Sequence, residues 1–456
     1  MLGLGTSGRH AAITATRLGA AVTAVDDHAG QPQQACRREL EEHGARVILG
    51  QGALTDPAGY DLLIASPGVP DDHVIIGDVR RRGIEVISEL EFGWRLLGNP
   101  VVAVTGTNGK TTVTSMVEQV MDRPGRPAHA CGNIGRPISA MWGQVEKGAV
   151  LVVEVSSFQL RGIVDFRPDA AVLLNVAPDH LDWHGGYPGY LESKARITLN
   201  QEAADFLVYN VDDAACSGIA QGSRSRTVPF GLLNSTGRGL WPGDGMVQAG
   251  HDLGGPFALM RIDEIGVRGP HNLINAMAAA GAALSMGESP GRVREALAAF
   301  SGLEHRMEDA GSIGQVRFYN DSKATNPHAC MHAVGSFEEP MALVLGGRNK
   351  GLDFSELAAR LAGSFSEGIL RGVVLIGESA HNLKSAIREA CCGTRLPVVH
   401  ASGMEQAVTE AYWMVEGGGV VLFSPACASF DMYEDYAARG NSFKEQVDAL
   451  RNKVAG

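Results

Sequence analysis

The residues with the clearest chemical potential are Thr105-Gly106-Thr107-Asn108-Gly109-Lys110-Thr111-Thr112, directly after the apolar run Val101–Val104. A strand feeding a glycine loop that ends in Lys-Thr, where a helix should start, leaves backbone N–H groups free to face phosphate oxygens. Lys110 would reach the outer phosphates and the Thr111 hydroxyl would take a Mg²⁺ position. The spacing is short, since only two residues separate Gly106 from Gly109. The helix-compatible stretch Val113–Met121 supports a nucleoside triphosphate site over a chance polar loop.

Other polar residues stand where open α/β sheets place ligands, at the carboxyl ends of strands. Glu154 follows the run Val150–Val153 and suits a Mg²⁺ ligand, although a strand-end carboxylate is the plainer reading. Ala170–Val176 leads into Asp179, His180, Asp182 and His184, four metal-capable side chains in six residues. Asp179 could instead cap a helix. Lys194 lies in a helical stretch and reads locally as an exposed lysine. Further on come Glu304-His305-Arg306, Asn320-Asp321-Ser322-Lys323-Ala324-Thr325-Asn326, Gly346-Gly347-Arg348-Asn349-Lys350 and Ser424-Pro425-Ala426-Cys427-Ala428-Ser429-Phe430-Asp431, the last three each after a strand-like run. Their shared position weighs more than any one motif.

The elements that must hold these residues suggest three α/β segments. Residues 1–98 open on Gly3-x-Gly5-x-x-Gly8, then a helix over Arg9–Leu18, a strand over Ala21–Val25 closing on Asp26, and another over Leu62–Ala65, a Rossmann-like alternation. Only Met1 and Leu2 precede the glycine loop, so either its strand is clipped or the true start lies upstream. Residues 99–302 carry the phosphate loop, a strand over Phe206–Tyr209, a small β appendage between 224 and 270, and an Ala-rich helix over His271–Met286. Residues 303–456 alternate strands (Met341–Leu345, Val373–Ile376, Val420–Phe423) with helices (Ser355–Leu361, Ala380–Cys391, Met404–Val415). No repeat of solenoid period is present.

Bulk composition narrows the class. The chain has 456 residues, 45% hydrophobic and 20% charged, as expected of a multi-domain globular protein. A net charge of −12 argues against nucleic acid as a partner. The seven cysteines are odd in number and lack C-x-x-C spacing, which speaks against zinc or a disulfide framework. No run nears the ~18 apolar residues of a membrane span, and no secretory signal pattern is visible. A cytoplasmic enzyme is the expectation.

Taken together, TGTNGKTT (105–112), GNIG (132–135), EVSSFQL (154–160), DHLDWH (179–184), His271-Asn272, His305-Arg306, NDSKATN (320–326) and SPACASFD (424–431) make the chain similar to the Mur ligases over its full length, and to their D-glutamate-adding branch. The phosphate loop and the two His pairs are shared with folylpolyglutamate synthases, whereas the serine-rich run, NDSKATN and SPACASFD fit those poorly. A dinucleotide oxidoreductase, arguable from the first glycine loop, leaves the second unexplained.

The resemblance implies a Rossmann-like domain for a UDP sugar, a central P-loop-type ATP domain, and a mobile C-terminal Rossmann-like domain for the amino acid. The reaction implied is ATP-dependent addition of D-glutamate to UDP-N-acetylmuramoyl-L-alanine through an acyl phosphate, with two Mg²⁺ ions, in a monomer. By position, Thr6, Ser7, Asp26, Asp27, His28, Ser66 and Gly68 would contact UDP. Asn133 and His180 would contact the muramoyl-alanine part. Gly106 through Thr112, with Asn272, Arg306, Asp321 and Lys323, would hold ATP. Thr111, Glu154, His180 and a carbamylated Lys194 would hold the metals, and Lys110, Asn133, Glu154, His180 and Lys194 form the implied catalytic set. Thr325, Lys350, Ser424 and Phe430 would seat D-glutamate. His28 stands where the family often has a basic residue, and Phe430 where some members have leucine.

Overall fold

The computed structural model describes residues 1–50, 59–349, 351–391 and 396–455. It divides into two compact units, one of Met1–Gly266 with Asn272–Phe300, the other of Val267–His271 with Ser301–Gly456.

The first unit begins with a small parallel sheet. Arg46–Leu49 pairs with Thr23–Asp26, and Leu62–Ala65 pairs with Glu85–Ser88. Leu2 bridges the two pairs, in parallel register with Val25 on one side and Ala65 on the other. The missing first strand is thus a single buried residue, held by Leu2 N–H to Ile64 O and Ser66 N–H to Leu2 O. The following helix, Thr6–Arg17, starts without a side-chain cap, leaving its N-terminal N–H groups for another acceptor.

The same unit contains a nine-stranded sheet. Its order from one edge is Ala128–Gly132, Val150–Glu154, Val101–Thr105, Ala170–Leu173, Phe206–Asn210, Arg226–Phe230, Leu240–Gly243, Met246–Ala249, Phe257–Arg261. All pairs are parallel up to Leu240–Gly243, and the last two strands turn antiparallel. Val101–Thr105, Val150–Glu154 and Ala170–Leu173 are buried along their whole length, which is why they read as unbroken apolar runs. The structure departs from the sequence pattern at two places. The β appendage is no separate module, since Val228, Phe230 and Leu240 are buried and extend the large sheet. The strand expected over Ala170–Val176 ends at Leu173, after which the chain turns to brace the phosphate loop.

Segments 1–98 and 99–302 are joined by buried polar bonds. Glu91 accepts from the N–H groups of Val164, Asp165 and Phe166, each at 2.9–3.0 Å. Glu89 accepts from Ser139 N–H at 2.8 Å, and complete burial pushes its carboxyl up to about 7.

The second unit is a six-stranded sheet in the order Glu308–Ile313, Val316–Asn320, Gly419–Phe423, Met341–Gly346, Leu370–Ile376, Val398–His400. Only the first pair is antiparallel. Helices cover both faces, with Leu357 and Leu383 in one core layer and Tyr412 and Phe443 in the other. Six cysteines among the described residues are buried free thiols. No helix among the described residues is long and apolar enough to cross a membrane.

Candidate active site

The phosphate loop is a strand-to-helix turn whose shape depends on residues outside its motif. Gly109 caps the helix Lys110–Met121 at φ 86°, and a Cβ there would lie 2.6 Å from Asn275 Oδ1. Only glycine fits both constraints. Asn175, just past the shortened strand, accepts through Oδ1 from the N–H groups of Thr107 (3.0 Å) and Asn108 (2.9 Å) and donates Nδ2–H to Asn108 O at 3.1 Å. The Thr107 hydroxyl reaches Ala177 O and Tyr190 Oη. One amide and one hydroxyl therefore fix Thr107 and Asn108, and neither Asn175 nor Tyr190 was signalled by the motif. Lys110 Nζ donates to Gly106 O at 2.9 Å and Thr107 O at 3.0 Å, which folds it over the loop. Thr111 and Thr112 sit half-buried in the first helical turn.

Lys194 overturns its local reading. The helix Tyr187–Ala195 buries the face carrying Tyr190, Ser193 and Lys194. Lys194 is 1% exposed, donates Nζ–H to Gly106 O at 2.8 Å, and lies 4.8 Å over the Tyr190 ring. Burial, aided by repulsion from Lys110, holds its amine well below the usual lysine range. Two lysines thus converge on one carbonyl oxygen, and no carboxylate pairs with Lys194 among the described residues.

Glu154 ends its strand almost fully buried. Its Oε1 accepts from Asn133 Nδ2 at 2.8 Å, while Oε2 is buried without any partner. An orphaned carboxylate oxygen costs roughly 1–3 kcal/mol and calls for a cation or donor. It is the observation by which the residues fit a magnesium ion.

The cluster expected at 179–184 does not assemble. Among the described residues no three His, Cys, Asp or Glu side chains converge as a metal site. Asp179 is no helix cap: its Oδ1 accepts from the N–H of His180, and His180 itself occupies the cap position at φ 49° without a side-chain capping bond, its Nε2 lying 3.7 Å from Asp179 Oδ2. The half-exposed His180 ring packs edge-on against Phe158 at 4.9 Å. His184 turns inward, between the hydroxyls of Ser157 and Ser193. Burial and nearby cationic groups push its imidazole down to about 4, so it is neutral at physiological pH. Asp182 remains on the surface.

In the first glycine loop, Asp26 is engaged structurally, with Oδ2 accepting from Leu4 N–H at 2.7 Å and Oδ1 from His28 N–H at 2.9 Å. Asp27 pairs with His73 at 3.0 Å, while the His28 side chain is 83% exposed. Ser66 backs the loop, for a Cβ on Gly3 (φ 83°) would meet the Ser66 Cβ at 2.9 Å. Thr6 is exposed and Ser7 half-buried at the uncapped helix start, with Gly68 two residues past Ser66.

In the second unit the polar loops at strand ends do come together. Asp321 is buried, its Oδ2 accepting from Ser424 Oγ–H at 2.7 Å and its Oδ1 from Met307 N–H at 3.3 Å. Burial outweighs these donors and the nearby Arg306, and pushes the carboxyl up to about 7. The Ser424 hydroxyl, expected to face an amino acid, spends its proton on Asp321. Lys323 Nζ stands 3.6 Å above the Tyr436 ring. Thr325 is half-buried and Phe430 is 57% exposed. Lys350 lies outside the described residues. Asn272 sits in the first unit, accepting from Asn275 Nδ2.

Arg439, on the helix Tyr436–Ala455, went unnoticed in the sequence. Its buried guanidinium donates to Ser322 Oγ (3.1 Å) and Ser322 O (2.8 Å) and leaves Nη1 without a partner. More than a hundred residues separate the two in the chain, and no local pattern announces the contact.

A strand-loop-helix turn with two lysines on one carbonyl oxygen neighbours a carboxylate that keeps one oxygen unpartnered, and family comparison gives this arrangement its class. Residues 104–283 match the Mur ligase middle domain, and residues 305–427 match the Mur ligase glutamate ligase domain. The chain belongs to the Mur ligases. Within them, it is 37% identical over 453 residues to the UDP-N-acetylmuramoylalanine–D-glutamate ligase of Pelotomaculum thermopropionicum, covering 99% of this chain and 97% of that protein. The enzyme of the same name from Natranaerobius thermophilus is 37% identical over 458 residues, with the same coverage. MurF ligase from Thermotoga maritima, solved in complex with ADP, shares the fold at TM-score 0.61 and 17% identity over 99% of this chain and 98% of that one.

Proposed function

We propose that this chain adds D-glutamate to UDP-N-acetylmuramoyl-L-alanine at the expense of ATP, in peptidoglycan precursor synthesis, as a cytoplasmic monomer. The observation that carries the reading is 37% identity, over nearly the whole length of both chains, to ligases of that name. It is supported by a phosphate cradle lying beside a carboxylate with an orphaned oxygen.

A carboxylate is a poor electrophile, so an amide bond requires its activation. The alanyl carboxylate oxygen attacks the γ-phosphorus of ATP, and the bond to ADP breaks. The D-glutamate amine then attacks the acyl carbon, phosphate leaves, and the amine proton passes to solvent. Lys110, folded over its loop, moves its ammonium from two carbonyls to the transferring phosphoryl group, where it offsets developing charge. Glu154 and Thr111, with His180 and a carbamylated Lys194, would hold two magnesium ions. Magnesium, when bound, supplies Lewis-acid neutralisation of phosphoryl oxygens.

Burial favours the neutral Lys194 amine, the form that can attack CO₂: an N–C bond forms, one proton is released to solvent, and a neutral amine becomes an anionic carbamate. The modified side chain no longer competes with Lys110 for Gly106 O. Asn133 holds Glu154 in place through its 2.8 Å bond. Asn272, Arg306, Asp321 and Lys323 are assigned to ATP; Thr6, Ser7, Asp26, Asp27, His28, Ser66 and Gly68 to UDP, with Asp26 acting by fixing the loop. Thr325, Lys350 and Phe430 are assigned to D-glutamate, with Ser424 acting through Asp321. Three domains, 1–98, 99–302 and 303–456, divide these tasks.

The test is ADP release by purified protein in Mg²⁺. Release requiring both D-glutamate and UDP-N-acetylmuramoyl-L-alanine is expected. Release with D-glutamate and a folate in place of the UDP substrate would overturn the reading.

A further inference from the structure

The geometry points to His184 as a positioning residue that keeps Glu154, His180 and Lys194 in register with one another. This rests on the proposed reading of those three as the magnesium set.

Proton counting fixes the direction of the hydrogen-bond chain. The Ser193 hydroxyl donates its single proton to Gly189 O at 2.6 Å. Toward His184 Nδ1, 3.2 Å away, it can therefore only accept. Nδ1 carries the ring proton, which leaves Nε2 to accept from the Ser157 hydroxyl at 2.9 Å. The chain runs one way, from Ser157 through the imidazole and Ser193 to Gly189, with every proton assigned.

What the chain joins gives it meaning. Ser157 opens the short helix Ser157–Arg161 three residues after Glu154. Ser193 immediately precedes Lys194. The imidazole also stacks on Phe158 at 5.3 Å, and the far side of this contact set is the His180 ring, 4.9 Å from Phe158. One side chain thereby contacts the segments carrying all three candidates, from two separate strand-end loops and a helix. A buried imidazole satisfied at both nitrogens is rigid, and small displacements of metal-holding groups are costly.

The test uses four single variants and one double. His184→Phe keeps a stacked ring but removes both hydrogen bonds. His184→Gln keeps one donor and one acceptor. Ser157→Ala and Ser193→Ala each cut one link without altering the ring. Two readouts are taken: steady-state kinetics, and the carbamate ¹³C resonance of protein equilibrated with ¹³C-bicarbonate.

For His184→Phe, kcat should fall about 10- to 100-fold, the scale of a small misplacement, with the KM for the UDP substrate within about 2-fold of wild type. Half-saturating bicarbonate for the carbamate signal should rise about 10-fold, the scale of losing a supporting contact. His184→Gln should recover most of both. Because the links form one chain, His184→Phe/Ser193→Ala should be no worse than His184→Phe alone.

Wild-type kcat and bicarbonate dependence in folded His184→Phe, or in both serine variants, overturns the inference. So does multiplicative loss in the double variant. A wild-type protein with full ligase activity and no carbamate signal would instead overturn the Lys194 reading, and this inference with it, which distinguishes the two failures.

Discussion

Replacing Glu154 by glutamine should separate stability from activity. In the folded protein Oε1 accepts from Asn133 Nδ2 at 2.8 Å, and Oε2 is buried with no partner. Glutamine keeps the carbonyl acceptor, so the bond to Asn133 survives in neutral form, at a loss of about 1 kcal/mol. The glutamine amide nitrogen takes the place of Oε2, so one buried polar group without a partner, worth about 1–3 kcal/mol, is exchanged for another. The net expectation is an unfolding free energy lowered by no more than about 1 kcal/mol. ATP-dependent turnover should fall at least about 100-fold, the scale of losing one group that stabilises transition-state charge. Urea denaturation without nucleotide and a coupled ADP assay measure the two. If Glu154→Gln lost more than about 1 kcal/mol of stability, the orphaned oxygen would be a structural acceptor and the reasoning would fail.

Three other outcomes follow from the same geometry. Lys110→Ala should abolish ADP formation while leaving the UDP substrate bound, checked by calorimetry beside the ADP assay; wild-type ADP release would remove Lys110 from its role. Lys194→Ala should lose activity that short carboxylic acids partly restore, since they replace the carbamate; kinetics with and without acetate decide it. Asp321 has its folded carboxyl raised from 3.8 to about 7. Its contribution to stability is therefore present below about pH 4 and lost as pH rises through 7, by up to about 4 kcal/mol. Asp321→Asn should flatten that slope in urea titrations from pH 4 to 8, and an unchanged slope would place the titration elsewhere.

The sequence made legible whatever local pattern encodes. Val101–Thr105 and Val150–Glu154 are buried on both faces, so their apolar runs marked strands that end at Thr105 and Glu154. Lys194 was misread as exposed because its burial depends on tertiary contact with Gly106, 88 residues earlier. His184 looked like a metal ligand since the one-dimensional spacing 179–184 cannot show which side chains turn inward. Asn175 was hidden inside an apolar run, where its amide reads as the tail of a strand. Arg439 carries no signature, because a helix packing back on Ser322 is a property of topology.

The central claim is that the phosphoryl group passes through the substrate's own carboxylate. The direct measurement uses UDP-N-acetylmuramoyl-L-alanine labelled with ¹⁸O in that carboxylate, and mass analysis of the phosphate released. The account predicts one ¹⁸O in each inorganic phosphate, matched to each amide bond formed. Unlabelled phosphate accompanying full amide synthesis would contradict it.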